Sequence, residues 1–347
     1  MQDDDQIFVN PSGQRDNLGD SVLRRAYLNA LRGRGALHVY VGTDASYISG
    51  LGLRAEDVTY ASKTAWLRRA LARTTHGGVF ALNAGEYVLD RRFLVNAVWQ
   101  GALVAVFRAR GGTALALGIA VRAGAAGART RALRQLLRTV SRVTWRDPES
   151  CRAVGLGSVA PDWAFALGST SDMVPAAGRD ILAVTMRGDR PAPDAVWIAV
   201  VRELAERHRV KVVVVNQMTA DAQRCAELAA ALGGDVLTWE GESHAHQEQR
   251  IRAVYARSVA VVSDRIHALI LGLTEGAVPI GLTTSDPEKV IRTFAAVTAV
   301  PVARRSSQDA PALMNWAEGL LSARELMIAD LSRARVALDR LSSSLRA

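Results

Sequence analysis

Val259-Ala260-Val261-Val262-Ser263-Asp264-Arg265-Ile266-His267-Ala268-Leu269-Ile270-Leu271 is the stretch on which the reading of the whole chain turns. Its opening valines and alanine have the length and β-branched character of a buried strand, and the apolar segment from Ala268 continues as a helix. Ser263 to His267 then sits where the strand ends and the first helix amides begin. In an open α/β sheet that edge is where ligands bind, and a helix N-terminus favours anions. A guanidinium at Arg265 and an imidazole at His267 therefore suit a phosphate or carboxylate with a titratable group beside it. The same spacing also allows Arg265 to pair with a surface carboxylate and His267 to be an ordinary helix residue. Both readings stay open on spacing alone.

Outward from this stretch the strand–helix alternation continues. Ile181 to Thr185, Lys211 to Val215, Val236 to Trp239 and Val278 to Leu282 read as further strands. Asp194 to Arg207, Asp221 to Leu232, Gln247 to Arg257 and Ile266 to Leu273 read as the helices between them. Five strands separated by helices predict a parallel, doubly wound sheet. Upstream, Ile7 to Val9, Leu37 to Val41, Val79 to Leu82, Leu103 to Phe107, Leu115 to Val121 and Arg142 to Trp145 read as strands, with helices over Ser21 to Arg32 and Arg129 to Leu137. Gly168 to Asp180 is polar and rich in Ser, Pro and Gly, the composition of a linker. The predicted organisation is an N-terminal α/β domain over 1–170, a second over 180–305, and a C-terminal amphipathic helix over 310–347 that packs on the domains.

The chain has 347 residues, 49% hydrophobic and 22% charged, which suits two ordinary soluble domains. Its net charge of +9 is carried by arginine, because Lys63, Lys211 and Lys289 are the only lysines. That excess suits an electropositive cleft or contact with a membrane surface, but a genomic bias towards Arg, Ala, Gly and Val, visible throughout the chain, is the favoured account. No basic patch interleaved with aromatics is present, so no nucleic-acid partner is expected. Cys151 and Cys225 have no partner at metal-ligand spacing and read as reduced thiols. The acidic start precedes no long apolar run, and no stretch has the length of a membrane span. A cytoplasmic protein is expected, working at most at the inner face of the membrane.

Polar residues follow several predicted strands: Arg187 after the first of the second domain, Asn216 and Gln217 after the next, and Asp264 to His267 after the fourth. In a parallel sheet these ends converge, and two arginines there can fork onto a carboxylate and a phosphate. His244 and His246 have metal-like spacing but no clear third ligand, so no metal is expected. Lys289 follows the last strand and could reach an anion in the same crevice. No Walker-type loop or Gly-x-Ser-x-Gly elbow occurs. Asp20 reads as a helix cap, or as a carboxylate offered to a cleft.

Taken in order, Asn17-Leu18-Gly19-Asp20, Trp145-Arg146-Asp147-Pro148-Glu149-Ser150, Pro161-Asp162-Trp163-Ala164-Phe165, Asn216-Gln217 with Asp221, Ser263 to Leu269, Gly276-Ala277-Val278-Pro279 and Lys289 resemble the polysaccharide pyruvyl transferase family. The resemblance implies two Rossmann-like domains facing across a cleft, similar to B-type glycosyltransferases. It implies transfer of a pyruvyl group from phosphoenolpyruvate onto two hydroxyls of a sugar, glycan or lipid-linked sugar, with no resident cofactor. By resemblance His267 and Asp20 are the catalytic residues. Arg187, Arg265, the backbone at Ile266 and Lys289 bind phosphoenolpyruvate, while Arg146, Asn17 and Gln217 are further family positions. At Leu82-Asn83-Ala84-Gly85-Glu86 the chain departs from the run of glycines many members carry, which bears on the choice of sugar. The alternative is a nucleotide-sugar-dependent glycosyltransferase of the same architecture.

Overall fold

The computed structural model describes residues 5–73, 78–122, 124–169 and 178–345. They fall into two compact units: residues 1–14, 20–163 and 336–347 form the first, and 15–19 with 164–335 the second. The chain changes unit at Trp163, ahead of the Gly168–Asp180 stretch. Residues 170–177 of that stretch lie outside the described residues. Its last residues already belong to the second core: Arg179 is buried and donates to the carbonyls of Tyr255, Ser258 and Glu275.

The first unit runs β1 (Asp5–Val9), α1 (Leu18–Arg32), β2 (Gly35–Tyr40), α2 (Ala45–Ser49), β3 (Val58–Tyr60), α3 (Lys63–Arg73), β4 (Val79–Ala81), β5 (Gly85–Tyr87), α4 (Arg91–Ala109), β6 (Thr113–Val121), α5 (Ala128–Leu137), β7 (Arg142–Trp145), α6 (Pro148–Val154) and β8 (Ser158–Val159). The strands pair in parallel in the order β3-β2-β1-β4-β6-β7-β8, with β5 joining the far end of β6. The strand expected at Leu103 to Phe107 is instead part of the C-terminal half of α4. Leu103, Val104 and Phe107 are buried at helical spacing. A short apolar run cannot distinguish the two periods, and the Asp90 carboxylate capping the Phe93 amide at 2.8 Å starts the helix. Gly118 bends β6 at φ +72°, where a Cβ would also strike the Trp163 ring at 2.6 Å.

The second unit continues with β9 (Ile181–Thr185), α7 (Ala195–His208), β10 (Lys211–Val215), α8 (Ala222–Leu232), β11 (Asp235–Leu237), α9 (His244–Ala256), β12 (Ser258–Ser263), α10 (Ile266–Thr274), β13 (Val278–Thr283), α11 (Glu288–Phe294), β14 (Ala303–Arg305), α12 (Ala310–Ser322) and α13 (Arg324–Ser343). Its sheet is wholly parallel in the order β11-β10-β9-β12-β13-β14. Counted within the unit this is 3-2-1-4-5-6, one strand more than the five expected. The doubly wound, Rossmann-like topology follows from strands such as β9, buried along its whole length between helical layers.

The helix expected over 310–347 is two helices broken at Ala323. Leu320, Met327, Leu331 and Leu341 are buried, but Leu326 and Val336 are exposed at 53% and 49%. Residues of α13 as far as Arg335 count with the second unit and those from Val336 with the first. No helix among the described residues is long and apolar enough to cross a membrane.

Candidate active site

The strand order of the second sheet reverses between β9 and β12, and ligands of doubly wound sheets bind at the carboxyl ends of such a pair. Arg187 follows β9 there, and Asp264, Arg265, Ile266 and His267 follow β12. Ser263 ties the two ends together: its hydroxyl donates to the Thr185 carbonyl at 2.5 Å and accepts the Arg265 amide at 2.9 Å. Asp264 extends the tie, its Oδ1 accepting the Arg187 amide at 2.9 Å. Arg265 caps α10, whose first amides, at Ile266 and His267, have no partner within the helix.

Both arginines are held by carboxylates. The Arg265 side chain, 8% exposed, donates through Nε to Asp221 Oδ2 at 2.5 Å, and its Nη2 meets the same oxygen. The other Asp221 oxygen accepts the Gly188 amide at 2.7 Å, so one buried carboxylate sets both the guanidinium and the loop after β9. Arg265 thus has a carboxylate partner, a buried one at the strand edge and not one on the surface. Arg187 is half-buried and forks onto Asp189 at 2.8 and 2.7 Å. That fork, with Arg265 and Arg190 nearby, holds the Asp189 carboxyl down at about 2. Asp264 moves the other way. Burial pushes its carboxyl above the usual range, against the pull of the Arg187 amide and the two guanidinium groups. Its Oδ2 is shut off from solvent and accepts no hydrogen bond among the described residues.

Asn17 directly precedes α1 but is not part of the first unit. Residues 15–19 belong to the second unit. Asn17 forms an antiparallel bridge with Met218, the Leu18 amide donates to the Gln217 carbonyl at 3.1 Å, and the Thr219 amide donates to Asp16 at 3.3 Å. Asn17 Oδ1 accepts the Gly19 amide at 3.1 Å. Gly19 lies flat against the His267 ring: a Cβ built on it would stand 2.3 Å from Nδ1 and 2.7 Å from Cβ and Cγ. The side chain of Gln217 is buried and reaches the Tyr255 hydroxyl at 3.3 Å. The second unit thus gathers Asn17, Arg187, Gln217, Arg265, Ile266 and His267 around the ends of β9, β10 and β12. Lys289 is exposed on the first turn of α11, after β13.

A match to a known family accompanies this geometry: the model of the polysaccharide pyruvyl transferases covers residues 17–286. The chain belongs to the polysaccharide pyruvyl transferase family. No curated protein matches it in sequence. Solved structures that resemble this family member include the candidate UDP-N-acetylglucosamine 2-epimerase of Listeria monocytogenes, 10% identical, with a TM-score of 0.59 over 97% of this chain and 94% of that one. HepE of Anabaena in complex with UDP is 11% identical with a TM-score of 0.57 over 99% and 97%. MnaA of S. aureus with UDP is 10% identical with a TM-score of 0.51 over 97% and 94%. At such identity the likeness establishes the fold alone, that of B-type glycosyltransferases.

Two predicted positions of this family member lie in its first unit. Asp20 Oδ1 pairs with Arg24 at 2.7 Å, and its Oδ2 accepts the Gln14 amide at 2.7 Å. Arg146 is buried, bonded to Asp162 at 3.0 Å and 3.6 Å from Glu86. His244 Nε2 bonds to the Arg15 carbonyl at 2.7 Å and its ring meets Trp239 edge-on, and no cluster of three or more His, Cys, Asp or Glu side chains placed to hold a metal ion occurs among the described residues. Sequence reasoning missed the parts played by Asp189, Asp264 and Gly19. The short Arg187-x-Asp189 spacing was visible, but the burial of Asp264 and the contact of Gly19 with a residue far along the chain were not.

Proposed function

We propose that the chain transfers the enolpyruvyl group of phosphoenolpyruvate to two hydroxyls of a sugar, forming a cyclic ketal and releasing phosphate. The observation that carries this reading is Arg265 and His267 at the switch point of the second sheet in a chain of this family. Arg187, Arg265, the Ile266 amide and Lys289 supply donors and positive charge for the phosphate and carboxylate. Asp189 is 64% exposed and free to rotate outward, so the substrate takes its place on the Arg187 fork. Asp221 is buried at 3% and keeps Arg265 aimed while the anion binds.

A proton added to the methylene carbon leaves an oxocarbenium centre that the first hydroxyl attacks, losing its own proton. The bond to phosphate then breaks, and the second hydroxyl closes the ring with loss of its proton. One of the two hydroxyl protons replaces that used at the methylene, and the other leaves with phosphate. His267 is the group we assign to this proton traffic, because an imidazole can both give and take a proton near neutrality. Asp20 is the second candidate, orienting or deprotonating a hydroxyl. The test is phosphate release from phosphoenolpyruvate against a panel of glycan acceptors, with mass detection of the pyruvylated product. His267→Ala is expected to abolish release; near-normal turnover would remove His267 from the mechanism.

A further inference from the structure

We infer that the face of the first unit built by α3, α4 and α5 is a docking surface for an anionic lipid bilayer. Charge and exposure alone carry this, whatever reaction the second unit performs. The three helices bury side chains in one apolar cluster, which takes in Trp66, Phe107 and Leu133 and so puts them on the same face of the sheet. α4 lies in the middle. The Lys63 ammonium of α3 sits over its Trp99 ring, 4.2 Å from the centroid, and a Cβ on its Gly101 would meet Leu136 of α5 at 3.4 Å. None of the three helices contains an Asp or Glu. From Lys63 to Arg138 the sequence has thirteen Lys and Arg against two acidic residues, Glu86 and Asp90. That local excess is larger than the +9 of the whole chain, so the remainder is net acidic. A genomic bias multiplies arginines throughout a protein; it does not strip carboxylates from one face. The two acidic residues are engaged locally: Asp90 caps the Phe93 amide at 2.8 Å, and Glu86 lies 3.5 Å from Arg122 and 3.6 Å from Arg146.

The same face is apolar at its centre. Val95 and Val98 are 70% and 75% exposed, the highest of any large apolar side chain among the described residues. With the exposed Ala102 and Ala105 they form one stripe at helical spacing along α4, opposite the Phe93, Val104 and Phe107 that it buries. The stripe runs for about 15 Å. Arg91 stands one turn before it, and Arg68 of α3 and Arg131 of α5 are exposed on the flanking helices. An anionic membrane takes up such a surface: the apolar side chains enter the boundary between headgroups and acyl chains, and the guanidinium groups meet lipid phosphates. Half-buried Trp99, beside the stripe, suits the same boundary. Nucleic acid would use the arginines but leave the valines in water. A second copy of this chain would bring like charge against like charge. For a protein partner, valine and alanine are poor anchors.

Co-sedimentation of the full chain with vesicles tests this, comparing phosphatidylcholine alone with an equal mixture of phosphatidylcholine and phosphatidylglycerol. The mixed vesicles should bind at least about tenfold tighter, and added salt should weaken that binding. Two variants separate the contributions. Val95→Ser with Val98→Ser removes the apolar stripe, and Arg68→Gln with Arg91→Gln and Arg131→Gln removes one charge from each helix. Each variant should bind the mixed vesicles at least about tenfold more weakly than the parent. Thermal melts establish that both are folded; if one is not, the other decides. No binding to the mixed vesicles, equal binding to both kinds, or a folded variant that binds like the parent would overturn the surface. A single-stranded RNA that binds as tightly as the mixed vesicles, and equally well to the serine variant, would assign the arginines to nucleic acid and overturn it as well.

Discussion

Adding one methyl group at residue 19 probes the candidate site without touching a charge. The new Cβ in Gly19→Ala would stand 2.7 Å from the His267 Cβ and Cγ and 2.3 Å from Nδ1, whereas ordinary contact begins near 3.4 Å. The imidazole stem must therefore retreat by roughly 0.7 Å and Nδ1 by roughly 1 Å. His267 Cβ is one bond from the backbone of α10, so the ring cannot simply swing clear. Residue 19 lies in α1, where alanine is favoured over glycine by about 1 kcal/mol. Overpacking costs about 1–3 kcal/mol, so the net stability change is small, between zero and about 2 kcal/mol lost. Catalysis should suffer far more, since misplacing a reacting group by ~1 Å costs on the order of 100-fold. Denaturant unfolding and phosphate-release kinetics measure the two separately: kcat should fall about 100-fold with KM for phosphoenolpyruvate little changed. In a His267→Ala background the contacts to Cγ and Nδ1 vanish, so the stability effects of the two changes should couple by at least about 0.5 kcal/mol. Wild-type turnover in Gly19→Ala, or strict additivity with His267→Ala, would refute the reasoning.

Asp221→Ala should cost about 3–5 kcal/mol, because it strands the buried Arg265 charge and frees the Gly188 amide; denaturant unfolding reads this, and calorimetry should show phosphoenolpyruvate affinity falling as well. Asp264 has its carboxyl raised by burial, so between the unfolded value near 3.9 and the higher folded value the native chain binds the extra proton, and stability falls as pH rises through that window. Asp264→Asn keeps an acceptor for the Arg187 amide and should be at least as stable as the parent at pH 7, with that part of the slope lost; melts across pH 3 to 8 that leave the slope intact would contradict this. Arg335 donates to the carbonyls of Phe165, Leu167 and Ser169 at 3.1, 2.6 and 2.9 Å. Arg335→Ala should lower stability by about 3 kcal/mol and speed proteolysis near residue 167.

The second unit was legible because its strands are continuous apolar runs separated by capped helices. Ser263 to His267 could be placed at the carboxyl edge of the sheet because a strand buried on both faces has nowhere to place polar residues except its end. The first unit was harder. α3 and β3 went unread because β3 is short and half exposed, and α4 looked in part like a strand because its apolar residues lie on several faces. Local patterning also could not assign residues 15–19 to the second unit, since what holds them there is backbone hydrogen bonding to Gln217 and to the turn that begins at Thr219. The fork of Arg187 on Asp189 needed only neighbouring residues, whereas the Asp221–Arg265 pair joins positions 44 apart.

The first unit also takes in residues 336–345, with Ser342 donating to the Ala30 carbonyl, Arg34 to the Leu345 carbonyl and Arg142 to the Ser344 hydroxyl. On the ribosome its sheet emerges early, but the segment that finishes it is made only after the whole second unit. A stall or cleavage anywhere in the second half would leave the first half incomplete as well. The chain therefore matures in effect as one piece, and neither unit can be produced as a single uninterrupted fragment.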